Sequence, residues 1–131
     1  MSLENIPQIL DRDERIAEVL TDAYGEEEQL VGFETYLDDT LQFPFEAIWR
    51  DPDEKGHAEP VKVLGVAGSN LRRGVLLKVE RNKSHKVRQV EAGQIWPPAE
   101  NSINAQILGD YRHWASHALD NYEEYEEDGE E

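Results

Sequence analysis

The sequence contains no cysteine, which excludes disulfide bonds, thiolate catalysis and metal sites built on cysteine ligands. Basic residues are scarce: 13 lysines and arginines stand against 29 aspartates and glutamates, a formal net charge of −16 over 131 residues. Nucleic acids and anionic membrane surfaces attract basic proteins, so we expect neither as a partner. The sequence also lacks a signal-peptide pattern and any apolar run long enough to span a bilayer, which predicts a soluble, cytoplasmic protein.

Carboxylate oxygens are the ligand atoms that the chain offers in quantity. Carboxylates bind hard cations, and a bound cation also relieves the self-repulsion of an acidic chain. We therefore expect metal cations, or a basic protein surface, as partners. The length predicts a single domain that buries a core without covalent cross-links, and we expect it to be a monomer.

The hydrophobic pattern predicts an α+β fold that begins with a helical hairpin. Proline suits the opening turn of a helix, so we expect the first helix to run from Pro7 to a stop at Gly25. The second helix is expected over residues 26–41, where apolar residues recur at helical spacing. These apolar residues are Leu30, Phe33, Leu37 and Leu41.

After residue 43 the apolar residues alternate, which predicts an antiparallel sheet. Turn-forming residues separate the alternating segments. The expected strands cover residues 43–49, 61–67, 74–81 and 86–96. Four or five short strands of this kind predict a small curled sheet or an SH3-like barrel.

A last helix is expected after the sheet, capped by Asn101 or Ser102. Its apolar residues are Ile103, Ile107, Tyr111 and Trp114. Residues 120–131 are mostly acidic and cannot bury enough apolar area to offset chain entropy. The sequence therefore predicts one domain over residues 1–119 and a disordered acidic tail over residues 120–131.

No residue pattern typical of catalysis is present, and we expect the chain not to be an enzyme. The serines lie in no nucleophile elbow, and the histidines do not form the HExxH motif. His113 and His117, spaced i, i+4, could chelate a transition metal from one helical face. Because no third ligand is near them in sequence, we expect them to be ordinary exposed residues.

The segment from Asp51 to Lys62 has part of the EF-hand pattern. Asp51, Asp53 and Gly56 match positions one, three and six of that calcium loop. Lys55 occupies position five, and Lys62 stands where a bidentate glutamate is required. The segment also joins predicted strands, so we expect an acidic hairpin loop and not an EF-hand.

The end of the second helix carries the better candidate site. In an antiparallel hairpin, Asp38 would lie level with Arg12, which brings Asp38 and Asp39 near Asp11 and Asp13. A negative cluster at a helix C-terminus opposes the helix dipole, and a divalent cation would remove that cost. Four carboxylates would then converge at one end of the hairpin.

Two simpler explanations of these acidic residues stay open. Arg12 and Arg15 could neutralise the aspartates as ordinary surface ion pairs. The glutamates at positions 26–28, in the first turn of the second helix, could only complement the helix dipole.

Three segments resemble a known family. They are DAYGEEE from Asp22, YLDDTLQFPFEA from Tyr36 and GDYRHW from Gly109. They resemble, in the same order, the cyanobacterial CcbP-like calcium-binding proteins, a family associated with calcium regulation during heterocyst differentiation. The resemblance implies a non-enzymatic calcium binder without EF-hands, a mixed helix and sheet fold and a strongly negative surface. The ligands that it implies are Asp38 and Asp39, followed by Asp22, Glu26, Glu27 and Glu28.

We therefore expect a protein that binds Ca²⁺ and buffers or senses cytosolic calcium, and the resemblance implies a role in heterocyst differentiation. The specificity for calcium rests on the resemblance, supported by the supply of oxygen ligands. The alternative is an acidic interaction module that docks onto a basic protein partner.

Overall fold

The computed structural model describes residues 3–52 and 56–130, with side chains described through residue 118. Two helical segments precede an antiparallel sheet and one long helix follows it, so the fold is α+β as predicted. After a 3-10 segment, Leu3–Gln8, the helices are α1 (Arg12–Val19), α2 (Glu26–Thr40) and α3 (Ile103–Glu130). The boundaries of α2 agree with the prediction to within one residue.

Five strands form a single open sheet. They are β1 (Phe45–Arg50), β2 (Ala58–Asn70), β3 (Gly74–Arg81), β4 (Val87–Glu91) and β5 (Ile95–Trp96). Their spatial order is β4-β3-β2-β1-β5, with every pair antiparallel. Of the two predicted alternatives, the structure has the curled sheet and not a closed barrel. The segment with EF-hand-like residues lies between β1 and β2, and its Asp53 and Lys55 fall outside the described residues.

The sheet has to curl because its two edge strands are close in sequence. β4 and β5 form opposite edges, yet only the 3-10 turn Ala92–Gln94 joins them. In a flat sheet five strands place the edges about 19 Å apart, whereas the connection spans about 14 Å at most. β2 bends through two register shifts, between Val63 and Gly65 and between Val66 and Gly68.

The strand segment predicted over residues 86–96 is divided in the structure into β4 and β5. The Glu91 side chain accepts a hydrogen bond from the Gly93 backbone N–H at 3.0 Å and fixes the turn between β4 and β5. Arg112 of α3 donates to the carbonyl oxygens of Gly93 and Ile95, at 3.1 and 2.7 Å, and so attaches α3 to β5. A local cap and a tertiary contact therefore divide an alternating segment into two strands.

The first helix is shorter at both ends than predicted. Pro7 lies in the 3-10 segment, and α1 begins only after Asp11, whose side chain accepts a hydrogen bond from the Asp13 N–H at 2.8 Å. An N-cap aspartate is a stronger start signal than an upstream proline. The helix ends at Val19, and Asp22, with φ of 67°, turns the chain toward α2.

The core lies between α2, α3 and the sheet. The four predicted apolar positions of α2 are buried, and the Phe33 ring stacks on Trp114 of α3 with 4.6 Å between the centroids. Ser102 caps α3, since its hydroxyl accepts a hydrogen bond from the Ala105 N–H at 3.1 Å. Ile103 is about half exposed, in contrast to the prediction that it packs. The fully buried hydrophobic residues from the sheet and α3 are Val61, Val63, Val75, Leu77, Val79, Ile95, Ile107, Leu108 and Tyr111.

Two further expectations concern membrane-spanning segments and the C-terminal residues. Within the described part of the chain, no helix combines the length and the apolar character that crossing a membrane requires. The side chains from residue 119 onward lie outside the described residues. The division into a domain over residues 1–119 and a disordered acidic tail over residues 120–131 therefore stays a prediction.

Candidate metal centre

The predicted ligands lie mainly at the two ends of α2. Asp22 and Glu27 are at its N-terminal end, whereas Asp38 and Asp39 are in its last turn. The eleven residue steps from Glu27 to Asp38 correspond to about 16 Å along the helix axis. A single ion cannot be bound by both groups, so the two ends have to be considered separately.

A cleft of about 720 Å³ lies beside the N-terminal end of α2. Asp22, Glu27 and Glu28 line one side, while Ser69 and Asn70, at the end of β2, line another. The structure thus brings three of the predicted ligands, Asp22, Glu27 and Glu28, to one depression together with polar residues that are remote in sequence. Glu26, in the same first turn of α2, is exposed and does not line the cleft.

Some oxygen atoms of this cleft already accept backbone hydrogen bonds. Glu28 accepts one from the Tyr24 N–H at 3.3 Å, and Asn70 accepts one from the Arg73 N–H at 2.9 Å. The positive end of the α2 dipole also favours the glutamates here, with or without a metal. Both explanations of the acidic first turn, dipole complement and metal ligand, are compatible with this geometry.

The C-terminal end of α2 has different electrostatics. Asp38 and Asp39 are both exposed, and they lie where the helix directs its last carbonyl oxygens outward. The negative end of the dipole disfavours carboxylates and favours a cation. The chain just beyond is fixed to α3, because the Gln42 N–H donates to Asn104 Oδ1 at 2.9 Å.

Asp11 and Asp13 have other interactions in the structure. Asp11 caps α1, and Asp13, 88% exposed, lies 4.0 Å from His113 Nε2. Over residues 3–52 and 56–118, no three histidine, aspartate or glutamate side chains are grouped closely enough to hold a metal ion. The expected convergence of four carboxylates is therefore not present in these side-chain positions.

Arg12 and Arg15 bind an acidic residue that the sequence did not single out. Asp110 of α3 is fully buried and accepts hydrogen bonds from Arg15 Nε at 2.7 Å, Arg15 Nη2 at 2.9 Å and Arg12 Nε at 3.1 Å. Tyr36 of α2 donates a further hydrogen bond at 3.2 Å. Of the explanations left open above, the pairing of both arginines with the nearby aspartates does not describe the structure, because tertiary packing pairs them with Asp110.

This network is complete without a metal. Arg15 is 5% exposed and also donates to the carbonyl oxygens of Ile9 and Leu10. Its hydrogen bond with Asp110 raises the pKa of Arg15, against the opposing effect of burial. Burial, followed by the charge of Asp110, raises the pKa of Tyr36, so its hydroxyl stays protonated and donates. We therefore assign Asp110 a structural role.

Sequence reasoning missed the polar residues at the end of β2, Ser69 and Asn70. Ser69 donates a hydrogen bond to Glu34 Oε1 at 2.5 Å and thereby connects β2 to α2. No local pattern reveals this contact across 35 residues. Asp110 had a weak signal, an acidic residue between apolar positions of an amphipathic helix.

A comparison with protein families identifies the chain. A family model described as calcium binding, CcbP type, matches residues 14–115, which is most of the sequence. The chain belongs to the CcbP family of calcium-binding proteins. The matched region includes α2 and both of its acidic ends, so the resemblance deduced from the three sequence segments is confirmed.

Two solved structures are similar to this CcbP-family chain. The crystal structure of Anabaena CcbP has 27% sequence identity and a TM-score of 0.68, over 80% of this chain and 89% of that chain. A calcium binding protein in the calcium-binding form has 25% identity and a TM-score of 0.67, over 88% of this chain and 96% of that one. A comparison with curated protein sequences gave no match.

The residues at both ends of α2 fit the chemistry of Ca²⁺, the ion of this family. Calcium takes six to eight oxygen ligands in flexible geometry, from carboxylates, amide and backbone carbonyls and water. Asp22 and Glu27 with Asn70 offer such oxygens at one end, and Asp38 and Asp39 with helix-terminal carbonyls offer them at the other.

Proposed function

We propose that this CcbP-family chain binds Ca²⁺ at the two ends of α2, as a monomer without catalytic activity, and buffers or senses cytosolic calcium. The observation that carries the proposal is the family match over residues 14–115, which contains both acidic ends of α2. The net charge of −16 supports it further, because each bound calcium ion reduces self-repulsion.

Asp38 and Asp39 are the proposed ligands of the tighter site. Here the carboxylates, the last carbonyl oxygens of α2 and the negative end of the helix dipole all favour a cation. The position is also well anchored, since residue 42 is hydrogen-bonded to α3. Ligands on an ordered helix lose little conformational entropy when they bind, which raises affinity.

Asp22 and Glu27 are the proposed ligands of a second, weaker site in the cleft, with Glu26 close by in the same turn. We propose a lower calcium affinity for this site because the positive end of the α2 dipole opposes a cation there. Asp11 and Asp13 are proposed only as secondary calcium ligands. One caps α1 and the other faces His113, so both have other interactions.

Calcium should bind more tightly than magnesium at both ends. Magnesium requires near-ideal octahedral geometry at short distances and gives up its water reluctantly, whereas calcium accepts irregular sets of six to eight ligands. Exposed carboxylates that have to move into place suit the less demanding ion. Equal or tighter magnesium binding in a competition titration would argue against these sites.

Isothermal titration calorimetry with three variants of equal charge change tests the placement. D38N/D39N should weaken the tightest calcium site by about tenfold or more, and D22N/E27Q should weaken only the second. E14Q/E18Q, which neutralises two exposed acids of α1, is the control and should change neither site. The titrations belong in near-physiological salt, where screening limits the general attraction of an acidic surface.

Equal losses from all three variants would show that calcium is held as a diffuse counterion cloud and not in sites. No calcium binding by the wild-type protein in that salt would favour the alternative, an acidic module that docks onto a basic protein.

The resemblance also implies a role in calcium regulation during heterocyst differentiation, and we extend the proposal to that process. Support comes from the similarity to Anabaena CcbP, at 27% identity over 89% of that chain. Expression of wild-type and D38N/D39N protein in a heterocyst-forming cyanobacterium with a cytosolic calcium reporter tests it. The wild-type protein should lower the free calcium signal more than the variant does.

A further inference from the structure

Two histidines on the exposed face of α3 lie side by side. The rings of His113 and His117 have their centroids 5.0 Å apart and are tilted by 52°. Two imidazoles bound to one tetrahedral metal ion, with metal–nitrogen bonds of about 2.0–2.1 Å, place their centroids about 5 Å apart. The centroid separation of the pair is therefore compatible with a shared metal ion.

The hydrogen bonding of His117 selects its ligand atom. Its Nδ1 lies 2.8 Å from the backbone carbonyl oxygen of His113. A carbonyl can only accept, so Nδ1 carries the proton and Nε2 has the lone pair. Histidine ligands of metals commonly donate their second nitrogen to a backbone carbonyl in this way, which fixes the ring and its tautomer.

The structure supplies the third polar group that was absent from the neighbouring sequence. Asp13 of α1 faces His113 across a shallow depression of about 340 Å³, with Oδ1 4.0 Å from His113 Nε2. This distance is too long for a hydrogen bond. It exceeds by about 0.7 Å the separation of two ligand atoms on one tetrahedral ion. The floor is rigid, because the Trp114 Nε1–H donates to Gln29 at 2.9 Å.

From this geometry we infer that His113 and His117 bind a late first-row divalent transition metal, such as Zn²⁺ or Cu²⁺, at a site away from the two ends of α2. Asp13 contributes negative charge and, after a small rotation, a carboxylate oxygen; water completes the coordination. Imidazole nitrogen suits zinc, copper and nickel, whereas calcium and magnesium prefer oxygen. The site therefore selects a different class of metal from the ends of α2.

The test is a zinc titration of the full chain, without a histidine tag, in saturating calcium that occupies the carboxylate sites. We expect one zinc ion to bind, and His113→Gln or His117→Gln to weaken it by about tenfold or more. Asp13→Asn should weaken it by a few fold. His85→Gln is the matched control, because His85 is also exposed and lies 3.1 Å from a carboxylate, Glu80, but is not one of this pair.

Nitrogen-15 NMR of the histidine rings gives a second readout, in which zinc should shift the Nε2 resonances of His113 and His117 and leave His85 unchanged. Unaltered calcium binding by the histidine variants establishes that they fold. The inference is overturned if the wild-type protein binds no zinc, if the H113Q/H117Q variant keeps the wild-type affinity, or if His85→Gln causes an equal loss.

Discussion

The junction of α1 with α3 and the ends of α2 use carboxylates in opposite ways. Asp110, at the junction, is fully buried and accepts hydrogen bonds from two arginines and a tyrosine. Asp38 and Asp39, at the end of α2, are exposed and lie in a helix terminus whose dipole opposes them. The fold neutralises the first carboxylate, whereas the other two are exposed to solvent.

This contrast shows why neither the number of acidic residues in a segment nor their proximity in sequence identifies the metal ligands among them. A buried carboxylate has to be paired, because the desolvation cost of an unpaired charge is several kcal/mol. An exposed carboxylate pays no such cost and can exchange water for a metal ion. The fold therefore places its structural acid inside and its proposed calcium ligands on the surface.

The largest effect is expected from Asp110→Asn, which removes the charge at the junction. Arg15 would be left buried without an ionic partner, and breaking a buried pair in this way costs about 3–5 kcal/mol. Urea unfolding without calcium measures the loss, with Glu14→Gln as the control for removing an exposed acid. A loss below about 1 kcal/mol would show that the network adds little stability.

Calcium should stabilise the wild-type protein by an amount set by its affinity. An ion that binds only the folded state adds about 2.7 kcal/mol at a free concentration of about 100 Kd. Thermal unfolding with and without calcium gives the shift, and magnesium at the same concentration should give less. An unchanged melting temperature at saturating calcium would mean that the fold does not assemble the sites.

Tyr36→Phe should weaken the junction by a smaller amount. It deletes one hydrogen bond to the Asp110 carboxylate and leaves the three from the arginines, so we expect a loss of about 1.5 kcal/mol. Chemical unfolding measures this, while the calcium affinity should stay at the wild-type value. A changed calcium affinity in the folded variant would indicate coupling between the two regions.

Without calcium, D38N/D39N should change stability in the opposite direction. Removing two negative charges from the C-terminal turn of α2 relieves an unfavourable dipole interaction of about 0.3–1 kcal/mol per residue. The unfolding midpoint in a calcium chelator should therefore rise slightly, although the same variant binds calcium less well. A destabilised variant would show that these aspartates make structural contacts.

The smallest effect is expected from deleting residues 121–131. The segment is acidic and has no apolar spacing that would pack, so the melting temperature and the tight calcium site should be preserved. Only weak calcium uptake at low ionic strength should fall, since the Debye length of about 8 Å in physiological salt screens such attraction. Loss of the tight site in physiological salt would instead mean that the tail supplies ligands.

Local patterns in the sequence predicted most of the fold. The apolar positions of α2 are buried as their spacing predicts, and β3 has the predicted boundaries. The errors lie where two local signals compete. α1 begins after the N-cap Asp11 and not at Pro7. The turn that Glu91 caps divides the alternating segment 86–96 into β4 and β5, which lie at opposite edges of the sheet.

The sequence by itself determined the α+β class, the supply of oxygen ligands and, through three short segments, the calcium-binding family. These properties depend on residue spacing, composition and local motifs, which are present before the chain folds. Only the tertiary structure decided that Arg15 pairs with Asp110, 95 residues away, and that Asn70 shares a cleft with Asp22. These contacts depend on how remote elements pack against each other. A buried charge such as that of Asp110 is stable only when packing places an opposite charge beside it.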